Sequence, residues 1–321
     1  MSKKIKKAFL AAAVAAVVGV SAAASACTIQ SKHPNARITI EFNEETFVID
    51  YTLYRNMYPQ TVQHFIELVD SGFYNDTIIH DYRSSDWVTG GYSYNAKDDE
   101  GNVMNDYVAS FSPSVNNSSS MPEYLEKNSK EEEYFNLVTE GIKSGTFSAS
   151  VYKQSVYEGE KEVVALDDAL PTLIGEFSEN GHNIKDDKGL KSTFGALKTF
   201  YYSKDNKDVV IVENSFGQIL PRNYSYNSTT SLFSMQVSNS SLYDSSKYAV
   251  FGQLKNDGAK DALEDLIDAI SDHVTNSSYT NWTKSIETQV DQFDLLADEK
   301  AATFTMVAAP IIIRSVKITK Y

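Results

Sequence analysis

A histidine, two aspartates, an arginine and one large aromatic ring lie close together between residues 80 and 87. They are His80, Asp81, Arg83, Asp86 and Trp87. In a strand, Arg83 would point to the same side as Asp81, about 7 Å farther along. Ionised aspartate only accepts hydrogen bonds, whereas arginine only donates them. Arg83 is therefore either a donor that faces a substrate or a rim residue paired with Asp81 or Asp86.

Two of these residues have a structural interpretation beside the functional one. His80 is a candidate base, or a buried histidine that is held by hydrogen bonds. Trp87 is a candidate for stacking on a ligand, or a core residue. The residue types alone leave both alternatives open.

The elements that must position this group are a helix and a strand within residues 59–91. Pro59 suits the first turn of a helix, where its missing N–H has no cost. Apolar residues at helical spacing form one stripe: Val62, Phe65, Ile66 and Val69. Gly72 stands at the position of a left-handed C-terminal cap. A β-branched strand is predicted over residues 77–80, followed by the pair Gly90-Gly91.

This stretch resembles the cyclophilins, a family of β-barrel peptidyl-prolyl cis-trans isomerases, and residues 174–181 and 190–197 look like the bacterial form of that family. The shared pattern is P-x-T-V-x-x-F-x-x-L-V-x-x-G-F-Y-N-x-T-I-x-H, with a Gly-Gly pair eleven residues later. The resemblance resumes at residues 174–181, 190–197, 230–235, 243–254 and 310–318. It implies a mainly β protein, with a closed antiparallel barrel capped by two helices.

The resemblance also implies a substrate site, and this chain departs from the family there. The implied substrate-binding positions are His80, Asp81, Asp86, Trp87, Thr89, Leu232, Phe233 and Tyr248. The family's catalytic arginine follows the histidine, and here that residue is Asp81. Asp86 replaces a pocket phenylalanine, Leu232 replaces a glutamine, and Ser234 replaces a second phenylalanine. The divergent face makes Arg83 the candidate for a relocated catalytic donor.

The implied reaction is rotation about an X–Pro bond, which has a barrier of about 18–20 kcal/mol. It requires an apolar slot for the proline ring and a donor aimed at the prolyl nitrogen. A hydrogen bond to that nitrogen weakens the amide resonance and favours the twisted transition state. The resemblance therefore implies neither a cofactor nor a metal.

The chain divides into a leader, a tether and one large domain. We predict a signal peptide at residues 1–26, a polar tether at 27–36 and a barrel domain at 37–321. Three insertions, at about 95–171, 202–226 and 275–305, are expected to lie outside the barrel. The first insertion is expected to form a small subdomain with a helix at 134–142 and a strand at 145–152.

The leader predicts export and a lipid anchor. Basic residues at positions 3–7 precede an apolar run that is well short of the roughly 20 residues needed to span a bilayer. Cys27, the only cysteine, directly follows a small-residue cleavage pattern and resembles a lipoprotein attachment site. The alternative is ordinary cleavage, which would leave Cys27 as an incidental terminal residue. The prediction is a lipoprotein on the extracytoplasmic side of the cell membrane.

Charge and cysteine content exclude several other classes. The formal net charge is −14, which disfavours nucleic-acid binding through phosphate neutralisation. A single cysteine excludes an internal disulfide and any cysteine-based zinc site. The five histidines show no metal-ligand spacing.

Two functions follow from these observations. The first is a surface-tethered prolyl isomerase that acts on proline-containing segments of exported proteins, with weak activity because of Asp81. The second is a catalytically inactive cyclophilin-like binding or chaperone module. A monomer is expected in both cases.

Overall fold

The computed structural model describes residues 31–97, 100–101, 122–158, 160–182, 190–199, 208–214, 228–239, 248–277, 281–287 and 303–321. The predicted signal peptide and Cys27 lie outside these residues. Three helices are present there: α1 (Pro59–Asp70), α2 (Glu131–Ser144) and α3 (Asp257–Asn276). None of the three is both long and apolar enough to cross a membrane.

The strands alternate with these helices in the following order. They are β1 (Asn35–Phe42), β2 (Glu45–Leu53), β3 (Thr77–Ile78), β4 (Asp81–Tyr82), β5 (Asp86–Thr89), β6 (Tyr92–Tyr94), β7 (Leu125–Ser129), β8 (Tyr152–Glu158), β9 (Lys161–Val164), β10 (Leu173–Ile174), β11 (Leu197–Thr199), β12 (Asp208–Asn214), β13 (Ser228–Thr229), β14 (Phe233–Gln236), β15 (Val250–Leu254), β16 (Thr283–Glu287), β17 (Thr303–Val307) and β18 (Ile312–Lys320).

Eleven of these strands form one antiparallel sheet, which confirms the predicted mainly β class. Its order is β4-β5-β14-β11-β15-β2-β1-β18-β3-β6-β7. Within the described ranges the sheet is a curled antiparallel half-barrel, with β4 and β7 at the two ends of its strand order. The first insertion extends one end by adding β7 beside β6, and β17 of the third insertion packs against β4 at the other.

Strands β1 and β2 form the first hairpin. The sequence predicts it, because residues 37–42 alternate in polarity and polar residues 43–45 precede a second strand. Asn43 and Glu44 adopt positive φ angles of 49° and 66°, as required by a tight two-residue turn between twisted strands. Ile38, Ile40 and Phe42 alternate into the core. Strand β1 begins at Asn35, two residues inside the predicted tether, because Asn35 and Ala36 already pair with β2 and β18.

Helix α1 also begins and ends as the sequence indicates. Pro59 is its first residue, and Gly72, just beyond the end, has φ +79°. The orphan N–H groups of Gln60 and Thr61 donate to the Glu176 carboxylate at 3.2 and 2.9 Å, a cap supplied from a distant segment. Helix α3 is capped by Asn256, whose side chain accepts from the N–H of Ala259 at 2.9 Å.

The first insertion packs into the main core, which corrects the expectation of a separate subdomain outside the barrel. Tyr134 and Val138 of α2 are fully buried, and Phe147 and Ala149 beyond it join the same cluster as α1. Residues 145–151 are not a strand, since β8 begins only at Tyr152. The helix α2 packs there because its inward face is apolar, and this face can be buried only against α1 and the sheet.

A buried carboxylate fastens this insertion to α1. Glu67 Oε1 accepts hydrogen bonds from the backbone N–H of Ser148 at 2.6 Å, from its hydroxyl at 2.7 Å and from Gln63 at 2.8 Å. The Ala149 N–H lies 3.3 Å from both carboxylate oxygens. These bonds hold residues 148–149 against the helix.

We expect Glu67→Gln to lower the free energy of unfolding by about 1–3 kcal/mol, because the amide offers one acceptor oxygen in place of two. Chemical denaturation measures the change. Glu140→Gln is the matched control, since the Glu140 side chain is 71% exposed. Equal stability of the two variants would contradict a fastening role for Glu67.

The three insertions also contact one another or the sheet. Strand β12 of the second insertion pairs with β8 of the first, and β9 completes that three-stranded sheet. Strands β16 and β17 pair with each other. Their inward residues Ile286, Phe304 and Met306 form a second core with Ile78 and Tyr124. The insertions are thus integrated into the fold.

Candidate functional site

The candidate site is the outward side of four neighbouring strands, β4, β5, β14 and β11, which we call the four-strand face. Asp81 pairs with Val88, Val88 with Ser234, and Ser234 with Lys198, so these four side chains form one row. A second row pairs Asp86 with Gln236. The alternate residues of these strands, such as Trp87, Phe233, Met235 and Leu197, point into the main core.

Asp81 is held by two different elements. Its Oδ2 accepts a hydrogen bond from Arg83 Nε at 2.6 Å and forms an ion pair with Arg83 Nη2 at 2.5 Å. Its Oδ1 accepts the backbone N–H of Thr305 in β17 at 3.0 Å. Asp81 is 1% exposed. The position that the resemblance assigns to the catalytic arginine is therefore a buried acceptor that links β4 to β17.

Arg83 is half-exposed, and its guanidinium forms the ion pair with Asp81. The same Oδ2 atom receives the Nε and Nη2 contacts. The backbone N–H of Arg83 also donates to Asp86 at 3.1 Å, which closes the β4–β5 turn. This is the paired arrangement that the sequence allowed as an alternative to a relocated donor.

A buried lysine lies on the same face. Lys198 Nζ donates to Gln236 Oε1 at 2.7 Å and lies 3.8 Å from Asp86 Oδ2. It also sits 5.4 Å from the centre of the Tyr248 ring. Burial lowers the pKa of the Lys198 ammonium, and the Asp86 carboxylate partly offsets this effect.

Gln236 is fixed in orientation by its other contacts. Its Oε1 also accepts from the Ser192 hydroxyl at 3.0 Å. Its amide nitrogen donates to the Ser238 carbonyl at 3.2 Å and to the Ser238 hydroxyl at 2.8 Å. The orientation of the Gln236 carbonyl oxygen, which accepts the hydrogen bond from Lys198, is therefore fixed before any substrate binds.

His80 does not face this surface. Its ring is buried between Tyr92 and Phe304, with centroid distances of 5.4 and 5.1 Å. Burial lowers the pKa of His80 to about 3, so the ring is neutral at physiological pH. Gly91 passes so close that an added Cβ would lie 3.0 Å from the ring. This environment favours a structural histidine over a base.

The other expected substrate residues lie inside the fold. Trp87 is buried and stacks on Tyr82, with ring centres 5.2 Å apart. Thr89 donates its hydroxyl to the Ile78 carbonyl at 2.8 Å. Phe233 is buried among Phe65, Tyr74 and Phe251, and Leu232 is buried near Gly91. Of the eight expected substrate positions, Asp81 and Asp86 belong to the four-strand face, and Tyr248 contacts it through Lys198.

Sequence reasoning did not single out Lys198, Gln236 or Thr305 as site residues. One signal was visible: Lys198 occupies the serine position of the family's L-S-M-A segment. No local pattern indicates Gln236 or Thr305, because each reaches the face from a distant part of the chain. Within the described ranges there is no cluster of three or more His, Cys, Asp or Glu residues able to hold a metal.

Comparison with known families and structures gives a consistent result. Residues 37–288 match the family model described as cyclophilin type peptidyl-prolyl cis-trans isomerase/CLD. A comparison with curated proteins found no match.

Three solved structures illustrate the similarity. A cyclophilin-type isomerase of Cryptosporidium parvum is 12% identical, with a TM-score of 0.36, covering 90% of this chain and 99% of that one. The same protein, solved in the presence of the dipeptide Ala-Pro, is 11% identical with a TM-score of 0.36, and the match covers 89% of this chain and 99% of that one. The Mimivirus cyclophilin is 10% identical with a TM-score of 0.37, and the match covers 79% of this chain and 86% of that one.

Proposed function

Because this chain belongs to the cyclophilin-type peptidyl-prolyl cis-trans isomerase family, we propose that it isomerises X–Pro bonds in exported proteins, at a low rate. A single observation carries the low rate. The family position of the catalytic arginine is Asp81, whose carboxylate is buried and already accepts from Arg83 and Thr305. A carboxylate in that position cannot donate to a prolyl nitrogen.

A second candidate function is protein binding without turnover. It is favoured by the loss of apolar walls on the four-strand face, where Asp86 and Ser234 replace two phenylalanines. Val88 and Ser234 are also only 1% exposed, so a proline ring has little apolar surface to contact there. A module of this kind would hold extended segments of exported proteins without accelerating their isomerisation.

Exchange spectroscopy on a proline-containing peptide separates the two functions. The wild-type protein and Arg83→Ala should be compared at equal concentration. Acceleration of cis/trans exchange by the wild type supports the isomerase. Saturable peptide binding with no acceleration supports the binding module. Acceleration that Arg83→Ala abolishes would identify Arg83 as the relocated donor.

We further propose that the protein works as a lipoprotein on the extracytoplasmic side of the membrane. The support is the sequence alone: a basic start, a short apolar run and Cys27 after small residues. One or two acyl chains are sufficient for anchoring without a spanning helix.

Cys27→Ala should therefore move the protein from the membrane fraction to the soluble fraction. The expected change is nearly complete, because no second cysteine is present to take a lipid. Fractionation followed by immunoblotting measures it, and Ser25→Ala serves as a control for the cleavage region. A Cys27→Ala protein that stays in the membrane fraction would place the anchor elsewhere.

A further inference from the structure

Solvent reaches the four-strand face unevenly. The side chains of Arg83, Asp86 and Lys198 are 43%, 14% and 10% exposed, whereas that of Asp81 is 2% exposed. Val88 and Ser234 are covered as well. A substrate that approaches this face therefore meets Arg83, Asp86 and Lys198 first.

We propose that Lys198 is the catalytic hydrogen-bond donor of this site, an inference that rests on the proposed isomerase function. The backbones of β11 and β5 are roughly 10 Å apart, with β14 between them. Since Lys198 Nζ lies 3.8 Å from Asp86 Oδ2, the ammonium crosses over β14. It lies beside Gln236 and Asp86, and Asp86 is the position that the resemblance assigns to a pocket phenylalanine.

Lys198 has N–H groups to spare close to Asp86, one of the positions that the resemblance assigns to the slot. An ammonium carries three N–H bonds. In the described part of the chain, one of them is accepted by Gln236, while Asp86 at 3.8 Å is beyond hydrogen-bond distance. The Arg83 guanidinium is directed at the Asp81 carboxylate through two contacts. Lys198 can therefore turn an N–H towards a substrate while Gln236 holds the ammonium.

The chemistry needs no covalent step. The ammonium donates a hydrogen bond to the lone pair of the prolyl nitrogen as the amide twists, and the bond lengthens again when the planar product forms. Gln236 holds the ammonium in place, and its own contacts with Ser192 and Ser238 hold Gln236. Low solvent access strengthens such a charge-assisted bond.

The test compares kcat and KM of the wild type, Lys198→Met and Lys198→Arg on one Ala-Pro peptide. Lys198→Met should lower kcat by about 10²-fold, with little change in KM, because a donor to the transition state is lost. Lys198→Arg should recover part of the rate. Lys191→Met is the matched control, since Lys191 is exposed on the segment preceding β11 and should retain the wild-type rate.

A pH profile of the wild type tests the same proposal without a substitution. Burial lowers the pKa of Lys198 from 10.5, Asp86 opposes this shift and Arg83 favours it. Tyr248 is the other titratable group that faces the ammonium. The donor is present below the lowered pKa, so kcat/KM should fall as pH rises, before pH 10.5 is reached. In the Lys198→Arg variant, kcat/KM should not decrease over this pH range.

The outcomes are distinct. Wild-type turnover that is unchanged in folded Lys198→Met overturns the assignment of Lys198 and leaves the isomerase function standing. If Lys198→Met does not fold, a wild-type rate that stays constant up to pH 10.5 overturns it instead. No wild-type turnover at all overturns both the isomerase function and this inference.

Discussion

This protein is expected to accelerate X–Pro isomerisation at least about 10²-fold less than a family member that retains the arginine. The family's arginine is one preorganised donor, and losing such a donor costs about 10²–10³ in rate, or roughly 3–4 kcal/mol. Lys198 donates from a different strand and does not reproduce the arginine's position. Asp81 is buried and its carboxylate is paired with Arg83, so it supplies no donor in place of the arginine. Asp86 beside the slot adds a desolvation cost for a proline ring.

The measurement is kcat/KM on one peptide, for this protein and for an arginine-containing cyclophilin under the same conditions. The comparison also checks the assignment of the face. A rate equal to that of the family member, together with indifference to changes at both Arg83 and Lys198, would mean that another surface carries the activity.

Restoring the family residue by Asp81→Arg is expected to destabilise the fold by about 3–5 kcal/mol. The substitution removes the partner of Arg83, places a second guanidinium beside it and leaves the Thr305 N–H without its acceptor. The Asp81 side chain is 2% exposed, so water cannot compensate. A rise in activity is therefore not expected from this single change.

Chemical denaturation of Asp81→Arg measures the loss, and Asp272→Arg is its control. Asp272 is exposed near the end of α3, where a positive charge is tolerated, so its replacement should change stability by less than about 0.5 kcal/mol. If Asp81→Arg retained wild-type stability, Asp81 would not be needed to hold β17 against β4.

Local elements of this fold could be predicted from the sequence because their causes lie within a few residues. The turn at Asn43 and Glu44 follows from alternation on both sides and from residues that tolerate positive φ. Helix α1 follows from Pro59, an apolar stripe and Gly72. The β class and the loss of the arginine at Asp81 could be predicted from the family resemblance, because a resemblance depends only on the identity and order of residues.

The composition of the four-strand face was decided by tertiary structure. Trp87 and Thr89 were expected to bind substrate, but strand alternation points them away from this face, while Lys198 reaches the face across β14. Whether a side chain on a short strand points inward or outward depends on register, and a shift of one residue reverses it. No local pattern sets that register.

The position of the insertions likewise could not be predicted from the sequence. Their polar composition indicated chain outside the barrel, yet β7 extends the sheet, α2 enters the core and β17 covers Asp81. These contacts join residues that are tens to hundreds of positions apart. The sequence by itself determined the hairpin, α1 and the loss of the arginine, since each depends on neighbouring residues. Only the tertiary structure decided that Asp81 is sealed by Thr305 and that Lys198 lies over the face, because long-range packing sets both.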